Sequence, residues 1–116
     1  MARRHFRFRR GITLSVAVVA RKEDGTVIDL TGLTGTAVTW RITSADRRTN
    51  KITKTIGSGI TVDDADDGEM TFKLDPADTA DLAPNLYSHA AEVTESGGDV
   101  TPIFFGMIDL ERDEMA

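Results

Sequence analysis

Residues 86–110 read "LYSHAAEVTESGGDVTPIFFGMIDL", and this stretch decides the fold. Tyr87, His89, Ala91 and Val93 share one parity, the period-two signature of a strand with one buried face. "ESGGD" turns the chain back, because glycine takes positive φ at no steric cost. The return run "VTPIFFGMIDL" is apolar on both faces, with Ile103, Phe105 and Met107 on one and Phe104, Ile108 and Leu110 on the other. Such a strand needs cover on two sides, more than a sheet with one solvated face provides.

The same period extends outward. Ile12, Leu14, Val16 and Val18 share a face of a first strand, and Asp24-Gly25 makes a turn before a short run from Val27 to Leu30. Val38, Trp40 and Ile42 alternate in the next strand, "KITKTI" and "GITV" are short β-branched segments, and Met70, Phe72 and Leu74 alternate again. Only "DPADTADLAPN" suits a helical turn, with Asp75 as N-cap and Pro76 in the first helical position. About seven short strands separated by turns predict an all-β fold, an antiparallel β-sandwich.

A chain of 116 residues is read as a single domain spanning 11–116, preceded by a basic N-terminal arm or strand extension at 1–10. It has no cysteine, which removes disulfides, thiolate zinc sites and cysteine nucleophiles together. No apolar run reaches the roughly 20 residues that span a bilayer, so no membrane partner is expected. "ITLSVAVVA" reads as a strand rather than a secretion signal.

Charge is unevenly placed. Arg3, Arg4, Arg7, Arg9 and Arg10 lie in the first ten residues without an acid, leaving 9 basic against 19 acidic groups in the rest. An acidic body repels a phosphate backbone, so nucleic acid is disfavoured as a partner and would have to use the arm alone. Phe6 and Phe8 carry the parity of Ile12 through Val18, which makes the arm an extension of a strand rather than a free tail. A bulge or bend is expected at Arg10-Gly11.

Catalytic chemistry has little to draw on. His5 and His89 are the only histidines, and nothing near either supplies a triad; no enzyme activity and no cofactor are expected. The best-placed metal candidates are Asp63, Asp64, Asp66, Asp67 and Glu69, but their spacing does not match a calcium loop, and a solvated acidic turn is the plainer reading. Trp40 shares the parity of Val38 and Ile42 and belongs to the core. Tyr87 opens a late strand after a tight turn, the position of the tyrosine corner in immunoglobulin-like sandwiches, with Asn85 as a residue that tolerates left-handed φ there.

Taken in order, "DGTVIDLTG", "VTWRI" and "GEMTFKLDPADTADLAPNLYSHAAEVTESGGDVTPIFFGMIDL" resemble the immunoglobulin-like N-terminal domain of tailed-phage baseplate upper proteins and their short prophage relatives. Residues 29–32, 68–74, 82–87 and 106–108 occupy the places of that family's short motifs. Arg10-Gly11-Ile12 and Asn85 depart from its pattern. The resemblance implies a non-enzymatic structural or assembly protein of a phage or prophage tail or baseplate. Its partners would be copies of itself and other tail or baseplate proteins, and its place the virion, after assembly in the host bacterial cytoplasm. Subunit contacts would use Phe6, Arg7, Phe8 and Arg9 in the arm and Phe104, Ile108 and Leu110 in the last strand. The alternative is a monomeric binding or adhesion module, with calcium at the 63–69 turn.

Overall fold

The computed structural model describes residues 2–112. The arm forms β1 (Ala2–Arg3) and β2 (Phe6–Arg9). Seven strands follow: β3 (Leu14–Val19), β4 (Val38–Ser44), β5 (Asn50–Ile56), β6 (Gly59–Asp64), β7 (Glu69–Leu74), β8 (Asn85–Thr94) and β9 (Val100–Glu111). One short helix, α1 (Pro76–Thr79), lies between β7 and β8, and its start follows the expected chemistry: the Asp75 amide donates to the Asp78 carboxylate at 2.7 Å.

The chain is all-β, as its alternation predicts, but the sheet is mixed. Its order is β1-β9-β8-β4-β5-β6-β7-β3, with β2 also on β9. The expectation of about seven antiparallel strands is corrected in two places. β1 and β2 run parallel to β9, and β5 meets β6 in parallel over two residue pairs. The cause of the first is the link after the arm. Gly11, at φ 80°, turns the chain away from β9, and β3 then pairs with β7 at the opposite end of the strand order. The sheet curls until its ends approach, where Arg4 Nη1 donates to the Ala17 carbonyl at 3.5 Å.

Inside the curl lie Trp40, Phe72 and Phe104, each buried, with ring centroids 5.3 to 6.4 Å apart. Edge-to-face packing of this kind contributes beyond the area buried. Val38 and Ile42 flank Trp40, while Met70 and Leu74 flank Phe72, so the alternation seen in the sequence becomes the core.

Four further expectations change. Ile12 is exposed and precedes β3, because the turn at Gly11 consumes it. Residues 27–30 form no strand beyond one bridge from Arg21 to Val27, yet Ile28 and Leu30 are buried as plugs of irregular chain. Asn85 does not take left-handed φ; its side chain accepts the Leu86 amide at 2.8 Å instead. In β9, Ala91 faces Phe104 while Glu92 faces Pro102, so Ile103 is an extra residue and both Ile103 and Phe104 turn inward.

Candidate functional site

The residues singled out in the arm and in the last strand meet, but inside one chain. Phe6 pairs with Ile108, Arg7 with Asp109, Phe8 with Leu110 and Arg9 with Glu111. Phe8, Phe104, Ile108 and Leu110 are buried in this chain's own core, and Phe6 is half-buried against it. Their assignment to subunit contacts is therefore corrected: β1 and β2 pair along the edge of β9 opposite β8, and the core covers its inner face, while Phe105 and Met107 on the outer face stay half-buried. Arg7 lies outward, with Nε 3.4 Å from Asp109 and 3.6 Å from Glu111. An arginine of the arm is thus adjacent to two carboxylates of the last strand. Exposed pairs of this type each contribute at most about 1 kcal/mol.

At the centre of the seam is a polar network. Trp40 Nε1 donates to His89 Nδ1 at 3.1 Å, so the ring's proton sits on Nε2, which lies 2.6 Å from the Arg4 carbonyl oxygen. Trp40, His89 and Arg4 come from β4, β8 and the link between the two arm strands. Phe6 and Phe104 pack on the imidazole at 5.1 and 5.5 Å. Burial holds the His89 pKa below its ordinary value of 6.5; the Arg4 carbonyl opposes that shift, and electrostatic interaction with His5 and Arg4 adds to it. Neutral imidazole satisfies both partners, whereas a second proton on Nδ1 would face the indole N–H.

Gly106 completes this network. It lies opposite His89 across the β8–β9 pair, and a methyl at its Cβ position would overlap the Arg4 carbonyl. Any larger residue would deny the arm its place. This coupling of Gly106, His89 and the arm was not visible in the sequence, although a glycine within an otherwise bulky strand is the mark of a close backbone approach.

Tyr87 donates its hydroxyl to the Ala83 carbonyl at 2.7 Å, closing the turn before β8. His5 Nδ1 accepts the Met107 amide at 3.1 Å, so both histidines of the chain serve the arm–β9 seam.

The acidic turn divides into two sets. Asp64, Asp67 and Glu69 bring carboxylate oxygens within 4.8 Å of one another, all exposed. Asp63 instead accepts the Thr71 hydroxyl at 2.6 Å, and Asp66 accepts that of Thr31 at 3.0 Å. Binding through one oxygen each, the three carboxylates supply fewer than the six to eight oxygens that calcium takes, and water would complete such a site. Next to it, the "DLTG" turn is closed by Asp29, which accepts the Thr31 hydroxyl and amide at 2.6 and 2.9 Å; those bonds hold its pKa below the usual carboxylate value.

Among the described residues, no helix is long and apolar enough to cross a membrane. No protein-family model matches the chain, and no curated protein matches it.

Proposed function

We propose that the chain is a non-enzymatic structural protein of a phage or prophage tail or baseplate, an immunoglobulin-like sandwich that works through contacts with copies of itself and with other tail proteins. The observation that carries this reading is the strand order. Taking the arm as the first strand, β3 to β9 correspond to strands B, C, C′, D, E, F and G, so β9-β8-β4-β5 reads G-F-C-C′ and β6-β7-β3 reads D-E-B, an order that matches an immunoglobulin-like arrangement. The arm then takes the place of a first strand moved to the far edge of the last. The Tyr87 corner and the Trp40 position support the same reading, with His89 standing where the second cysteine of antibody domains would be. The motifs that resemble the baseplate family fall on the turn at 29–32, on β7, at the start of β8 and in β9. Both histidines are engaged in structure, which favours a role without catalysis.

Light scattering over a wide concentration range tests the reading. Association above the monomer supports an assembly role, and a strict monomer in low and high salt overturns it. Removal of residues 1–10 should lower stability, because the arm is a strand of the sheet. A loss of nucleic-acid retention alone would instead make the arm a nucleic-acid contact.

The convergence of Asp64, Asp67 and Glu69 favours the second reading, a monomeric binding module. Calorimetry separates the two: heat on adding calcium together with a rise in melting temperature supports the module, and no response removes its metal.

A further inference from the structure

The outward face of β4, β8 and β9 holds a cleft of about 400 Å³. Its floor is made of short side chains, Thr39 on β4 with Ser88 and Ala90 on β8, and its walls of Arg41, Arg47 and Phe105. Long side chains around a floor of short ones make a slot where a sheet would otherwise be flat. Its two arginines make no ion pair among the described residues. Arg41 makes no ion pair or hydrogen bond among the described residues, and the Arg47 side chain donates only to Ser88 Oγ, at 3.3 Å. Arg3 extends the same charge, its guanidinium stacked 5.4 Å from the centre of the Phe105 ring. Glu92 is the one acid that lines the cleft.

Arg47 itself is unusual. It is the one non-glycine residue with positive φ among those described, at 65°. Glycine would adopt that conformation freely, whereas a long L side chain is strained in it. The strained turn puts a guanidinium beside the cleft.

The chain also carries the complementary charge. The β6–β7 turn presents Asp64, Asp67 and Glu69 as three exposed carboxylates close enough to repel one another. Guanidinium groups placed among them would relieve that repulsion through charge-assisted hydrogen bonds. This turn is held at its own end of the fold, where the Leu30 amide donates to the Ala65 carbonyl at 2.9 Å and Thr31 bonds Asp66. Its strands lie beyond β5 from the cleft in the sheet order, so it does not reach the cleft of its own chain.

We propose that the acidic β6–β7 turn of one copy docks into the arginine cleft of the next. A hairpin end, two strands about 5 Å apart, is narrow enough to enter such a slot. The contact is head-to-tail, so a chain of copies keeps one free turn at one end and one free cleft at the other, and the association propagates. It deepens the assembly reading and rests on it, supplying the surface through which copies meet.

Two neutralised variants test the contact, Arg41→Gln with Arg47→Gln and Asp64→Asn with Asp67→Asn, each shown by circular dichroism and melting to be folded. The average mass of the wild type in light scattering should rise with concentration at low salt and fall back in about 0.5 M salt, where exposed charges are screened. Each variant alone should associate about tenfold more weakly or not at all. Their equimolar mixture should form a one-to-one pair and stop there, because one contributes only a working turn and the other only a working cleft. Variants that associate like an associating wild type, or a mixture that stays monomeric, overturn the turn-to-cleft contact and leave the assembly reading standing. A wild type that never associates overturns both. If such a wild type is retained on an oligonucleotide and the arginine variant is not, the cleft binds nucleic acid and the proposal fails.

Discussion

On the inner side of β8, His89 has both ring nitrogens engaged, one by the Trp40 indole and one by the Arg4 carbonyl. One residue earlier, on the outer side, Ser88 lies under Arg47, a guanidinium with no carboxylate partner among the described residues. The two faces of one strand thus treat polar groups in opposite ways. Inside, an unpaired donor or acceptor costs roughly 1–3 kcal/mol, so every buried side-chain nitrogen and oxygen among the described residues has a partner. Outside, water solvates a lone charge, and an unpaired arginine costs the free chain little. Paired groups report on how the fold closes; unpaired ones are free for a partner.

Mutations should separate the faces, and the inner one should respond most. Phe8→Ala removes a buried ring that ties β2 to the core, and it should cost about 3 kcal/mol. Chemical denaturation measures this, and an unchanged midpoint would mean the arm is only loosely attached. Gly106→Ala puts a methyl against the Arg4 carbonyl. A cost of about 2 kcal/mol is expected, with cleavage of the arm by trypsin at its arginines becoming faster. A variant as stable and as resistant as the wild type would mean that the arm does not cross Gly106.

A pH series examines His89 itself. Its folded pKa is depressed, so below pH 6.5 the unfolded chain binds the proton that the folded one refuses. The stabilisation is complete above that value and declines as pH falls through the window down to the folded pKa. His89→Gln should flatten this part of the profile, whereas a profile of unchanged slope would assign the effect to other groups. The smallest effect belongs to the outer face. Arg47→Gly relieves a strained φ and removes one long, part-buried hydrogen bond, to Ser88 Oγ; the two effects oppose, so stability should change by no more than about 0.5 kcal/mol. A large loss would make Arg47 a structural residue and weaken the contrast.

Much of the inner face was legible in the sequence. The alternation of Tyr87, His89, Ala91 and Val93, and of Val38, Trp40 and Ile42, marks which side chains are buried, because a strand has only two faces. Parity does not say which strand lies alongside. The parity shared by Phe6 and Phe8 with Leu14 and Val16 suited one continuous strand equally well, yet Gly11 divides it between opposite ends of the strand order. The inward turn of Ile103 was hidden for a related reason: a bulge depends on the partner's register. The cleft was hidden more completely. Arg41 and Arg47 look like ordinary surface charges until the sheet sets them around Ser88 and Ala90. The acidic turn was legible as a cluster, but which of its carboxylates converge depends on the hydroxyls of Thr31 and Thr71.

Amide hydrogen exchange of the arm tests most directly the claim that it is a sealed strand of the sheet. The Arg4 amide donates to the Phe105 carbonyl at 2.8 Å and the Arg10 amide to that of Glu111 at 3.0 Å. Both should exchange at least about 100-fold more slowly than in a free peptide. Exchange at the free-peptide rate would contradict the account, because the arm would then be a tail resting beside β9.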